Sequence, residues 1–401
     1  MGNTESNSLL KPLDIHLSPG NDEIFQPAPL PLDSDGFIIS FNVEQQEEIL
    51  TFFEKHGVVV VSNVLTDEQC QRSVDEVWLF LQEMYNQNID RNKPETWSFG
   101  WPSFSKMGIV GNERWLYPQA CDNRQNPNIY QVFRTLLGEN ELIVNITRAG
   151  LMRPTKNIFF SSLNKTEDRE EWKTISEWLH LDMNPLTGRA TTYGFEHVGE
   201  GHFDSSKNPD AAINNPVNNG MRIRKLQGIL ALADCREEDG GFHAVPGFQH
   251  FIETWTKQNK QICIDANESG DPTTVQIPQD DPIRQYIQRM PIRKGSLLVW
   301  DSRLPHGNFP NNSSSMRIVQ YLHMAPVNDE AIRSFPLSKD DLPSTFHLTD
   351  LGKKLYGFKS WESNIAKKRF REERNPQVLE RVQYERNARN VIKTAGLTSQ
   401  K

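Results

Sequence analysis

Three side chains in the 401-residue chain have the types and spacing to hold a metal ion: His180, Asp182 and His306. In EWLHLDMNP, His180 and Asp182 stand two residues apart. On a strand, or at the end of one, that spacing turns both side chains to the same face. His306 follows at a distance, in LLVWDSRLPHGN, just after an apolar strand, and completes a triangle. Two imidazoles and one carboxylate on one face leave three coordination positions open, a donor set typical of non-haem Fe(II) centres. Arg317 comes eleven residues after His306, on the next apolar strand. A hairpin joining those strands would bring its guanidinium near the metal, where it can grip a dicarboxylate by a bidentate, charge-assisted pair.

The His-x-Asp pattern is weak alone, and a second copy, His202 and Asp204, stands in GEGHFDSSKN. The first copy alternates with Leu179, Leu181 and Met183, as expected where a packed scaffold fixes ligand geometry. The second lies among Gly, Ser and Asn, which would leave a ligand poorly oriented. The first pair is therefore favoured, and His202 is read as a loop histidine. The other histidines (His56, His197, His243, His250, His323, His347) lack paired spacing and are read as structural. The serines form no GxSxG elbow, so hydrolase chemistry has little support.

The elements that must position these residues fall into two halves. A helix is expected from an Asn42 cap through VEQQEEILTFFEKHG, then a buried strand GVVVVSNV. Thr66 and Gln69 form a capping box for a long amphipathic helix ending near Asn86. Residues 87–125 read as loops, and NPNIYQVFRTLLG as a helix stopped by Gly138. Beyond it, short apolar runs (ELIVNITRAG, LQGILALADC, GGFHAVPG, GSLLVWDS, MRIVQYLHM) alternate with turn signals such as EEDGG and FPNNSSS. Short strands without intervening helices favour an antiparallel sandwich or barrel. The stretch 191–222 is polar and rich in Gly and Asn, the composition of a long surface loop placed to act as a lid.

Composition sets the surroundings. Four scattered cysteines with no CxxC exclude a disulfide scaffold and a zinc ribbon, and suit a reducing compartment. No apolar run approaches a membrane span, and a net charge of −8 argues against nucleic acid as partner of the whole chain. The start, MGNTES, fits a myristoylation pattern at Gly2, but no basic cluster follows to supply a second anchor. The terminal TSQK does not match a peroxisomal address, so a cytoplasmic location is expected. The basic segment KKRFREERNPQVLERVQYERNARNVIK reads as solvated helices broken at Pro376.

Taken together, the order His-x-Asp, a long gap, His, then Arg resembles the Fe(II)/2-oxoglutarate-dependent dioxygenases. More narrowly, LQGILALADCREEDGGFHAVPGFQH resembles the strand, acidic turn, glycine and "PGSH" signature of the phytanoyl-CoA dioxygenase family, with Phe248-Gln249-His250 after Pro246-Gly247. FEKHGVVVVSNVLTDEQCQRSVDEV resembles that family's opening helix, strand and helix, and the resemblance spans roughly residues 45–355. It implies a mainly β, double-stranded β-helix (jelly-roll, cupin-like) core with flanking helices. On that basis residues 1–40 are an irregular arm, 41–345 the dioxygenase domain and 346–401 a helical basic tail.

The resemblance also implies roles. His180, Asp182 and His306 would bind Fe(II), and Arg317 would bind 2-oxoglutarate, with O2 as the second co-substrate. Gln227 is an inward candidate beside the co-substrate, the alternative being a buried amide satisfied by backbone. Arg148 and Arg153 are either contacts for an anionic substrate or structural arginines. Trp300 reads as core, and Asp301 as a turn residue or a partner that orients a ligand. The retained carboxylate of Asp182 favours hydroxylation over halogenation, with a small-molecule or lipid-derived substrate. The competing reading is an inactive jelly-roll scaffold acting through its basic tail, against which the intact triad and Arg317 count.

Overall fold

Strands with apolar residues on both faces build the centre of the molecule. The computed structural model describes residues 24–102, 106–110, 115–176, 178–186, 191–192, 195–197, 225–268, 274–327, 331–333, 337 and 339–372. Its main strands, in chain order, are β1 Val58–Val61, β2 Ile109–Val110, β3 Ala149–Met152, β4 His180–Leu181, β5 Leu226–Ala231, β6 Gly241–Ala244, β7 Val275–Gln276, β8 Gln288–Arg289, β9 Leu297–Asp301, β10 His306–Phe309 and β11 Arg317–Leu322. One sheet runs β1-β9-β5-β11-β3-β2 and the other β7-β4-β10-β6-β8, with every pair antiparallel. The chain steps from one sheet to the other at β3 to β4 to β5 to β6 and again at β9 to β10 to β11, which is the winding of a jelly roll.

The alternation of side chains assigns each face of the larger sheet to a different core. Val59, Val61, Leu297 and Val299 pack toward the helices, while Val58, Val60, Leu298 and Trp300 point between the sheets. The helical layer comprises α1 Gln46–His56, α2 Asp67–Met84, α3 Pro118–Arg124 and α4 Pro127–Leu137, which present Ile49, Phe53, Val77, Leu81, Val132 and Phe133 to the first core. Burying side chains of this size stabilises by roughly 1.5–3 kcal/mol each, so both layers are strongly held.

Several local expectations hold. The Thr66–Gln69 capping box is present at the start of α2, and Gly138 closes α4 in the left-handed conformation at φ 66. The helix before β1 starts later than expected: Gln45 is the cap, and its side-chain oxygen accepts from the Asn42 backbone N–H at 2.9 Å. The described residues of 87–125 are not a run of loops, because Trp97, Trp115 and Cys121 are buried and draw a 3₁₀ turn (Pro94–Ser98), β2 and α3 onto the core. Residues 24–40 are irregular, yet Phe25, Leu30 and Ile38 are buried in the inter-sheet core.

The expected hairpin between His306 and Arg317 does not form, since β10 and β11 lie in opposite sheets. The intervening FPNNSSS satisfies its own polar groups and turns a corner instead. Asn311 accepts from the Ser313 N–H at 2.8 Å and donates to the Ser315 carbonyl at 2.6 Å, and Ser313 donates to Asp239 at 2.6 Å. The expected 191–222 loop begins with Thr191–Thr192 and Phe195–His197, which join Ala331–Arg333 in a small sheet. The rest of that loop, with His202 and Asp204, lies outside the described residues, as do Gly2 and the tail beyond 372. Among the described residues no helix is long and apolar enough to cross a membrane.

Candidate metal centre

His180 and His306 meet because β4 and β10 are neighbours and pair these two residues in register. Asp182 follows where β4 ends, and Leu179, Leu181 and Met183 anchor the segment in the inter-sheet core. His180 Nε2 lies 3.2 Å from Asp182 Oδ1, and His306 Nε2 lies 3.3 Å from Asp182 Oδ2. The three donor atoms sit within 4.8 Å of one another, and all three residues are buried. This is the triangle that spacing predicts.

The ring orientations are set from behind. His180 Nδ1 is 3.3 Å from the Trp178 carbonyl oxygen, and His306 Nδ1 is 3.0 Å from that of Leu304. A nitrogen facing a carbonyl carries the ring proton, which leaves each Nε2 lone pair directed at the site. Trp178 also stacks on His180, with centroids 4.3 Å apart and planes 9° from parallel. Burial opposes the charge on Asp182, but the two facing imidazoles outweigh it and hold its carboxyl well below the usual carboxylate range. An ionised carboxylate is the form a divalent metal needs.

Gln227 bears on this carboxylate directly. Its Nε2 donates to Asp182 Oδ2 at 3.0 Å and lies 3.2 Å from Ser302 Oγ, so neither a backbone partner nor solvent satisfies it. Ser302 was not separable by sequence from other serines. Asp301 takes the turn role: it accepts both branches of the Arg303 fork, at 2.9 and 2.6 Å, and holds the bend that delivers His306.

A cavity opens over the triad, lined by Ile109, Trp178, Phe242, Trp300 and Tyr321 with the polar Thr147, Arg148, Gln227 and Asn308. Trp300 is thus both core and cavity wall. Asn308 escaped notice in the sequence, although it stands two residues after His306 on β10 and so shares its face. Tyr321 likewise shares a face with Arg317 and Val319 on β11. Of the two flagged arginines, Arg148 reaches the cavity, whereas Arg153 lies elsewhere.

Arg317 sits at the start of β11, only 1% exposed, against the backbone of Gly241. A Cβ on Gly241 would lie 2.1 Å from its Nε, so the glycine (φ +97) makes room for the guanidinium. Arg317 Nε and Nη1 are buried without hydrogen-bond partners. A buried cation left so is costly and marks a seat for an anion. The residues present therefore fit both a divalent metal and a carboxylate ligand. Of the remaining histidines, His56 and His250 bond backbone carbonyls, and His243 packs on Phe309.

Comparison with known proteins agrees with this architecture. Residues 210–319 match the family model described as Phytanoyl-CoA dioxygenase (PhyH). A Dictyostelium discoideum protein named "Putative phytanoyl-CoA dioxygenase" is 27% identical over 362 residues, covering 82% of this chain and 95% of that one. The solved structure of GlcNAc Inducible Gene 2 from Candida albicans is 15% identical and has a TM-score of 0.51, covering 86% of this chain and 85% of that chain. It shares the fold. The epimerase SnoN, solved with Fe3+, alpha ketoglutarate and nogalamycin RO, is 15% identical with a TM-score of 0.44, over 71% of this chain and 84% of that chain.

Proposed function

We propose that this chain, which is similar to the phytanoyl-CoA dioxygenase family, is an Fe(II)- and 2-oxoglutarate-dependent dioxygenase that hydroxylates a small-molecule or lipid-derived substrate. The observation that carries the reading is the buried His180–Asp182–His306 cluster with its three donors within 4.8 Å. These residues would hold the iron, and Arg317 would bind a 2-oxoglutarate carboxylate. Bound there, iron and 2-oxoglutarate supply the activation of O2, with release of succinate and CO2 and transfer of one oxygen atom to a C–H bond.

The protein's own contribution is positioning and exclusion. The Trp178 and Leu304 carbonyls fix which nitrogen of each histidine faces the metal. Gln227 holds Asp182 from the adjacent sheet, which keeps one carboxylate oxygen turned to the site. Arg317, packed on Gly241, presents a fixed fork that orients a carboxylate rather than merely attracting it. Phe242 and Trp300, with ring centroids 4.5 Å apart, wall the His306 side and keep bulk water from the reacting position.

The test is anaerobic addition of Fe(II) and 2-oxoglutarate to the metal-free protein. We expect a metal-to-ligand absorption band, lost in His180→Ala, and succinate formation on admitting O2. Absence of both band and succinate at saturating co-substrate would refute the reading. A His202→Ala variant should keep the band.

A further inference from the structure

Arg153, one of the two arginines flagged by sequence, does not line the cavity over the triad but a separate cleft of about 360 Å³. Two indoles pack on its guanidinium: its central carbon lies 4.7 Å from the Trp101 ring centroid and 4.6 Å from that of Trp172. One edge is used, since Nη1 donates to the Trp97 carbonyl at 2.8 Å. Its other nitrogens, Nε and Nη2, make no hydrogen bond among the described residues, and they are not sealed in the interior. The nearest acidic influence, Glu171, reaches Arg169 instead, at 3.5 Å. Burial without a bonded carboxylate pushes the Arg153 pKa down to about 10.

The rest of the cleft has the same sign. Lys106 and Lys173 line it beside Arg153, against a single carboxylate, Glu171. Lys173 is paired with Glu170 at 2.5 Å, while exposed Lys106 forms no ion pair among the described residues. A guanidinium packed on two indoles and tied by Nη1 to a carbonyl has lost freedom before any ligand arrives, and its open edge offers two parallel donors. That shape matches a two-oxygen anion and is poorly matched by a neutral group.

We propose that the Arg153 cleft is an anion-binding site, separate from the metal centre, that receives a phosphate or carboxylate group in the plane of the Arg153 fork, with Lys106 as second cation. The ligand is an anionic small molecule or the charged end of a larger one. The backbone of Lys106 accepts from the Ile175 N–H at 2.7 Å, and the chain continues from there to Trp178 and His180.

The experiment is calorimetric titration of the metal-free full-length protein with inorganic pyrophosphate at constant ionic strength, followed by acetate and inorganic phosphate. Saturable binding of pyrophosphate is expected, with Arg153→Lys weaker by about tenfold because the fork is lost while the charge stays. Lys106→Glu, an exposed change that leaves the core intact, should weaken binding by at least about fivefold. His180→Ala should bind as the unaltered protein does, which separates this site from the metal centre and leaves the dioxygenase reading independently testable. No saturable heat up to about 10 mM, or equal affinity in Lys106→Glu, overturns the proposal. Equal binding of acetate and pyrophosphate assigns a carboxylate-sized seat; a strong preference for phosphate and pyrophosphate assigns a phosphate group.

Discussion

Arg317 and Gln227 show how single side chains acquire their roles from what they lack or hold. Arg317 has two buried guanidinium nitrogens without acceptors, so truncation to Ala removes the anchor while relieving an unpaired charge. We predict that Arg317→Ala weakens 2-oxoglutarate binding by about 2–4 kcal/mol, measured by titration with a redox-silent metal in place of iron, with the melting temperature maintained. An unchanged affinity would place the co-substrate elsewhere. Of the three triad residues, Gln227 hydrogen-bonds Asp182, at 3.0 Å. Gln227→Leu should therefore lower metal affinity by about 10–100-fold, while Gln227→Glu, which substitutes an acceptor for the amide donor beside a carboxylate, lowers it further. Metal titration followed by cobalt absorption reads both; identical affinity in all three proteins would show that the amide is merely structural.

Strands and turns decide whether these side chains meet. Gly241, at the head of β6, yields to Arg317 on β11 from the opposite sheet, and the approach leaves no room for a methyl group. Gly241→Ala is predicted to cost co-substrate affinity about as much as losing the Arg317 fork, with metal affinity retained, because the triad is served by other strands. Loss of metal binding in that variant would mean the glycine supports the whole site. The elements also explain what the sequence made legible. Two donors two residues apart declare their common face in any strand, so His180 and Asp182 could be paired without a structure. The third member of the cluster is reached through the β4–β10 register, which no local pattern states, and only the apolar strand before His306 hinted at it. Arg317 was expected beside His306 through a hairpin that does not form; it stands instead on the opposite sheet from His306, packed on Gly241. Asn308 and Tyr321 followed the same alternation as their neighbours and were missed because a polar residue two steps from a ligand has no signature of its own. Trp97, which helps order the stretch around it, read as a loop residue because its partners Trp78 and Trp172 are remote in sequence.

The molecule as a whole carries buried histidines whose protonation opposes folding. Burial pushes His243 down to about 3 and His323 down to about 4, against 6.5 for an exposed ring. In the unfolded chain both bind protons as pH falls below about 6.5, whereas in the folded chain they do so only near the lowered values. The unfolded state thus holds more protons across that window, and stability must fall as pH drops from about 6.5 toward 4, by up to about 1.4 kcal/mol per pH unit for each histidine. Thermal melts of metal-free protein across that range should show the slope, and His323→Phe should flatten it. A variant with the same slope as the parent would exclude His323 as a contributor.

The larger sheet belongs to two cores at once: its residues point by turns into the helical layer and into the space above the metal ligands. For a protein engineer this is a natural partition of mutable positions. A library at Trp300 and Tyr321 rewrites the cavity wall and with it the molecules admitted, while Val299 and Gln320, one step along the same strands, keep the scaffold in place and need never be varied. New specificity and retained foldability are, on this sheet, a matter of odd and even.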